Sequence, residues 1–288
     1  MEQLIASGLA VGSLYALVAF GYNITWATSR TLNFAQGTAV MLGAVIVFLL
    51  VVDYHWPWPL GLALAVVALA CYGLALERFA IRPFAGGLSI TWVLSTLAFG
   101  IIIENLVQLV FGNNPRGFPT PLTQTPVFIG SIGLYPLELI FPVVALALMI
   151  GVEVFYRHTM FGRAVRATAF DHDAARAMGI NVNRTIGFSF ALSSVLAAIA
   201  GVLLGPLTGV GASMGFLIGL KAFAVAIIGG LTSPLGIVVA GLFYGVFENV
   251  VGAYIGSSFK EILGFGVVIL VLLLRPAGLF GRQAVRRV

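Results

Sequence analysis

Ile186-Gly-Phe-Ser-Phe-Ala-Leu-Ser-Ser-Val-Leu-Ala-Ala-Ile-Ala-Gly-Val-Leu-Leu-Gly-Pro206 contains no charged side chain. An α-helix of about 20 apolar residues covers the roughly 30 Å of hydrocarbon in a bilayer, so this stretch reads as a membrane span. The same reading repeats along the chain. Apolar runs broken by Pro, Gly or charge predict spans near 4–24, 33–52, 59–80, 88–111, 134–156, 186–206, 216–231, 234–252 and 259–275. The segment 216–231 is short, holds Lys221 and ends in Gly229-Gly230-Leu231-Thr232-Ser233-Pro234, the pattern of a broken half-helix. The expected fold is therefore all-α, a polytopic bundle of eight or nine spans forming one domain over 1–288.

Composition agrees. Of 288 residues 60% are apolar and 9% charged, against about 25% charged in soluble domains. Mean hydropathy is +1.08, which excludes a large soluble domain. Met1-Glu2-Gln3 offers no basic n-region and no small-residue cleavage site follows the first run, so a retained span is expected. Cys71 is the single cysteine and forms no internal disulfide. The net charge of +5 does not point to nucleic acid, because almost all the arginines flank apolar spans.

Those arginines orient the chain. Arg30, Arg78, Arg82, the five of 157–184, Arg275, Arg282, Arg286 and Arg287 make 12 of the 15 basic residues, and all fall on one side. By the positive-inside rule that side is the cytoplasm. The other side takes Asp53-Tyr-His-Trp-Pro-Trp58, the nearly neutral loop 112–133 and the Gly-rich loop 207–215. Nine crossings then put the N-terminus outside and the C-terminus inside. Trp56 and Trp58 fit an interfacial belt. Gly8 with Gly12, Gly201 with Gly205, and Gly241 with Gly245 repeat at four-residue spacing, which lets helices approach closely.

The longest hydrophilic stretch is 157–185. Within it Asp171 is placed to cap a helix and Gly179 to end it in the left-handed conformation, giving about two turns. So short a helix is marginal in water, so its Ala174, Ala175 and Met178 face should pack on something. A plain basic connection and a docking element both fit at this stage. Ionisable and amide groups inside spans form the second set of candidates: Glu104-Asn105, Glu248-Asn249, and Asn33 with Gln36 at the inner end of the second span. Each is open to two readings, a polar lining of a pathway or an interhelical bond or cap that fixes packing. Lys221 and Lys260 are the available partners for the acids.

Gly211-Ala-Ser213-Met-Gly215 matches the Gly-x-Ser-x-Gly elbow, but that motif needs a preceding strand and a nearby base. His158 and His172 would lie across the membrane from Ser213. The three histidines have no metal-ligand spacing, so neither enzyme chemistry nor a metal site is expected.

Asp173-Ala-Ala-Arg-Ala-Met-Gly179-Ile180 resembles the acidic-Ala-Ala-x-x-x-Gly motif of binding-protein-dependent ABC permeases. Gly162-Arg-Ala-Val-Arg-Ala167, Lys221-Ala-Phe223 before Ile228-Gly-Gly230, Arg275-Pro-Ala-Gly-Leu-Phe-Gly281, Gly12-Ser-Leu-Tyr-Ala-Leu17 and Asn33-Phe-Ala-Gln-Gly37 narrow the resemblance. They are similar to the H-type subunit of the branched-chain amino acid permeases over nearly the whole chain. Many members carry His where Gln36 stands, and 112–133 matches loosely. The resemblance implies a second, M-type permease, two cytoplasmic ATPases that use ATP and magnesium, and an extracytoplasmic binding protein. It implies ATPase coupling through Asp171, Asp173, Ala174, Ala175, Met178 and Gly179, in a bacterial-type inner membrane. No Gly-x-x-x-x-Gly-Lys-Ser/Thr phosphate loop is present in the chain, so energy comes from a partner. Related permeases for urea, short amides or aromatic acids are the same-class alternative. An ion-coupled carrier, needing no ATPase, is the rival from another class.

Overall fold

A computed structural model describes residues 1–84, 89–129 and 132–281. Arg282, Arg286 and Arg287 of the basic tail lie outside the described residues, as do residues 85–88 of the loop after Arg82. Among the described residues, eight helices are long and apolar enough to cross a membrane. In chain order the helices are α1 (Glu2–Ser29), α2 (Gln36–Phe48, continued to Asp53), α3 (Trp58–Leu76, continued to Phe84), α4 (Ser89–Phe111), α5 (Pro136–His158), α6 (Met160–Phe170), α7 (His172–Ala177), α8 (Val182–Thr208), α9 (Met214–Gly229), α10 (Pro234–Tyr254) and α11 (Lys260–Leu274, preceded without a break by the helical turn Ser257–Phe259). The 16 residues of α9 rise about 24 Å, short of the hydrocarbon thickness. It is shorter than the other spans, as Lys221 and the Gly-Gly break led one to expect, though longer than a half-helix.

The core is built on α1, which packs most extensively on α10 and α8. Water does not drive helices together inside lipid, so close backbone packing has to. Gly8 and Gly12 of α1 face Gly245 and Gly241 of α10 in antiparallel register. A Cβ at Gly8 would stand 2.6 Å from Val246 Cα, and one at Gly241 2.6 Å from Ala16 Cβ. Both glycine pairs thus supply the flat surface on which the two helices touch. Tyr15 closes the seam edge-on to Tyr244, with ring centroids 6.2 Å apart.

Two features depart from the expected plan. Residues 157–185 are not one connection with one short helix: α5 runs through His158, and the 11-residue α6 precedes α7. Thr159 caps α6 by accepting from Gly162 N at 2.9 Å. Val165 and Thr168 face inward while Arg163 is exposed. Second, the loop 112–133 carries a small antiparallel ribbon, β1 (Val127–Ile129) with β2 (Ile132–Leu134), pairing Val127 with Leu134. It rests by α1, where Gln3 Nε2 donates to Gly133 O. The ribbon leaves the all-α class of the bundle unchanged. Trp58 is 41% exposed and also stacks on Phe118, with centroids 5.4 Å apart and planes 3° from parallel.

The arginine-flanked ends gather at one end of the bundle. Arg30 donates to Ala169 O and the His172 ring bonds Thr28 O at 2.7 Å, tying α1 to α6 and α7. Arg82 grips Glu77 with two bonds of 3.1 and 2.9 Å. At the opposite end Arg116 meets Asp53 at 3.3 Å and its backbone pairs with Val210.

Candidate functional site

The amides at the start of α2 form a closed knot. Asn33 Oδ1 accepts from Ala35 N at 3.0 Å and Asn33 Nδ2 donates to Gln36 Oε1 at 3.1 Å. Gln36 Nε2 reaches Ser193 O on α8 at 3.2 Å, and Ser193 Oγ returns a bond of 3.0 Å to Gln36 Oε1. Asn33, Gln36 and Ser193 are all fully buried. A side-chain amide in an apolar interior needs every such bond. The geometry is that of a cap and interhelical clasp.

Glu248 is also committed. Lys221 Nζ on α9 lies 2.5 Å from Glu248 Oε1 on α10 and 3.5 Å from Glu261 Oε1 on α11. The Lys221 ammonium sits 6.0 Å from the Tyr15 ring centroid. One cation thereby joins three helices and offsets the charge of the buried Glu248, with the more exposed Glu261 at longer range. The neighbouring Asn249 Nδ2 donates to Leu4 O at 3.4 Å, a packing bond to α1.

Glu104 and Asn105 separate. Asn105 is exposed and donates to Ile101 O of its own helix at 2.8 Å. Glu104 instead lines a small cleft between α1, α2, α4 and α9, with a volume of about 70 Å³ and walls that include Tyr22, Phe34, Thr38, Met41 and Phe216. Neither Lys221 nor Lys260 reaches it. A charged side chain at mid-membrane costs about 2.5–3.5 kcal/mol on insertion scales, so an unpaired one is unusual.

Outside the spans, Asp171 caps α7, accepting from Asp173 N at 2.8 Å and Ala174 N at 3.0 Å. Those two backbone donors hold its carboxyl below the usual range, the Ala174 bond contributing most. Gly179, at φ +79°, ends the helix. Its N–H donates to Arg176 O at 2.9 Å and Ile180 N to Ala175 O at 3.0 Å, the paired bonds of a Schellman turn. Asp173 faces solvent and pairs with Arg176 at 3.2 Å. The expected common face of Ala174, Ala175 and Met178 is corrected here. Ala175 is buried against the body, whereas Ala174 is exposed and Met178 is 82% exposed. The small residue seats the helix. Met178 and, at the end of α6, Phe170 at 91% exposure are outward apolar side chains of this segment.

Ser213 leads directly into α9, just after the pairing of Val210 with Arg116. The His172 ring is engaged at the other end of the bundle. Among the described residues no group of three or more His, Cys, Asp or Glu could hold a metal.

The chain is a bundle of helices able to cross a membrane several times, with a capped helix at its arginine-rich end and a mostly apolar cleft carrying one acid among its spans. Residues 4–272 match the family described as "Branched-chain amino acid transport system / permease component", and the chain belongs to that family. It is 34% identical to the high-affinity branched-chain amino acid transport system permease protein BraD of Pseudomonas aeruginosa, over 100% of this chain and 98% of the relative. It is 32% identical to LivH of Escherichia coli K12, a permease protein described in the same words, over 99% of this chain and 97% of the relative. Among solved structures the fold is similar to PsaBC from Streptococcus pneumoniae in complex with Fab, at a TM-score of 0.52 and 14% identity, covering 96% of this chain and 92% of that one.

Proposed function

We propose that this chain is the H-type permease of an ATP-driven importer for branched-chain amino acids, working with an M-type permease, two cytoplasmic ATPases and an extracytoplasmic binding protein. It sits in a bacterial-type inner membrane with its N-terminus outside and its C-terminus inside, the short α9 making the ninth crossing within the bundle, from the Arg116–Val210 pairing at one end to the Leu231–Asn23 bond at the other. Closing of the ATPases on ATP and magnesium pushes on 171–180, and the permease pair then alternates its access to the two sides. The whole chain acts as one membrane domain, with 157–185 as its coupling segment.

The observation that carries this reading is α7. Its first-turn donors are satisfied by Asp171, its C-terminal carbonyls by the Schellman turn, and Ala175 seats it on the body. A helix so short is marginal in isolation, so this anchoring supplies the rigidity that transmission of a push requires. Met178 and Phe170 are left outward, an apolar surface suited to a groove in a partner. The arginine asymmetry supports the orientation.

The test is co-purification of the ATPases, and their substrate-stimulated rate, in complexes carrying Met178→Glu or Phe170→Glu. Both side chains are exposed, so the bundle itself should hold while assembly or stimulation is lost. Unchanged assembly and stimulation in both variants would show that 171–180 merely connects α6 to α8.

A further inference from the structure

Among the described residues, the spans contain carboxylates that have a partner and one, Glu104, for which none is found. Glu77 is held by Arg82, Glu153 by Arg157, Glu248 and Glu261 by Lys221, and Glu138 accepts from Tyr135 N. Glu104 has neither a cation nor a hydrogen-bond donor among the described residues. It is half-buried, on the wall of the cleft shared with Tyr22, Phe34, Thr38, Met41 and Phe216. An unpaired acid inside a span calls for a partner from outside the chain.

We infer that Glu104 is the counter-charge for the α-ammonium of the transported aliphatic amino acid, with the solute's hydrocarbon part against Tyr22, Phe34 and Met41. This rests on the function proposed above and adds a site to it. An ammonium donates up to three hydrogen bonds, and a carboxylate in a cleft of low polarity accepts them with charge assistance. The aromatic and thioether wall fits an aliphatic side chain and has no second charge to hold a polar one. The cleft of about 70 Å³ has room for about five water molecules and too little for an amino acid. The solute therefore enters by displacement of a wall. Helix α4 is the wall suited to move: it packs chiefly on α2 and on the end of α3, and its Ile101, Ile102, Leu106, Leu109 and Val110 are exposed.

The experiment uses the whole complex, permease pair with ATPases, in nanodiscs for equilibrium binding and in proteoliposomes with the binding protein for ATP-driven uptake. The probes are leucine and 4-methylpentanoate, which has the same carbon skeleton without the ammonium. Glu104→Gln should weaken leucine binding about 10- to 100-fold, the range for loss of a charge-assisted bond, and slow uptake correspondingly. Binding of 4-methylpentanoate should not fall. Glu104→Asp should recover part of the leucine affinity. Equal losses for both probes would make Glu104 a structural residue and overturn the inference. Separation of the two permeases in Glu104→Gln would assign its partner to the second subunit and overturn it as well. Wild-type complex that takes up leucine beside an equally competent Glu104→Gln complex would sink this role alone. Wild-type complex that takes up no aliphatic amino acid would sink the proposed function and this role with it.

Discussion

Lys221 of α9 and Glu248 of α10 meet at 2.5 Å with side chains 11% and 10% exposed, and Glu261 of α11 stands 3.5 Å from the same ammonium. A helix too short to cross hydrocarbon alone is thus fastened near its middle to two that can. Breaking a buried pair leaves the partner's charge uncompensated, at a cost of about 3–5 kcal/mol. Lys221→Met should therefore lower the melting temperature of the purified chain by several degrees. Lys221→Met combined with Glu248→Leu should recover much of the loss. Additive losses in the double variant would mean that the two residues act independently.

The glycine seam between α1 and α10 makes a separate prediction. Gly8→Leu places a side chain where Val246 Cα already stands. Overpacking of this kind costs about 1–3 kcal/mol. A detergent melting curve should shift downward, whereas Gly151→Leu, where nothing lies within 4 Å of a Cβ, should leave it in place.

Conformation, not space, limits Gly179. A Cβ there meets nothing within 4 Å, but φ is +79°. Valine is strained in that region and asparagine adopts it more readily. Gly179→Val should abolish substrate-stimulated ATPase activity and Gly179→Asn should keep most of it. Equal activity in the two variants would remove the left-handed turn from the coupling account.

The cap of α7 carries a pH dependence. The Asp171 carboxyl is held low by backbone donors, chiefly Ala174 N. Its contribution is present above the ordinary carboxylate pKa and is lost as pH falls through the lower folded value. Amide exchange at Asp173 and Ala174 should stay protected through the ordinary carboxylate range. In Asp171→Asn, which keeps an acceptor without a titrating group, protection should not change with acid in this way. Loss of protection at the ordinary carboxylate pKa in the unsubstituted chain would contradict the cap.

Orientation is accessible by labelling. In a Cys71→Ala background, an impermeant maleimide should modify Gln124→Cys but not Ala174→Cys in sealed right-side-out vesicles. Both positions are exposed in the fold, so the difference reports sidedness. The reverse pattern would invert the assignment.

The bundle was largely legible because span recognition needs only length and the absence of charge, both plain in 186–206. Asp171 and Gly179 were legible because capping chemistry is local to a few residues. Helix α6 was missed because its inward positions Val165 and Thr168 include a polar residue and alternate with Arg163 and Arg166, so no apolar face stands out. The ribbon at Val127–Leu134 escaped because three-residue strands carry too little alternation to register. Partnerships were the least legible. Gln36 and Ser193 lie 157 positions apart and Lys221 and Glu248 lie 27 apart, and no sequence spacing encodes contacts set by the packing of whole helices. The inward turn of Ala175 has the same origin, since the seating of a short helix depends on what lies beneath it.

The central claim is that this chain passes branched-chain amino acids inward only as part of an ATP-consuming complex. The most direct measurement is uptake of radiolabelled leucine into proteoliposomes holding the permease pair and ATPases, with binding protein outside and ATP inside. Uptake that stops when ATP, magnesium or any one subunit is withheld is the predicted result. Leucine uptake by the purified chain alone, without ATP, would contradict it and establish a carrier.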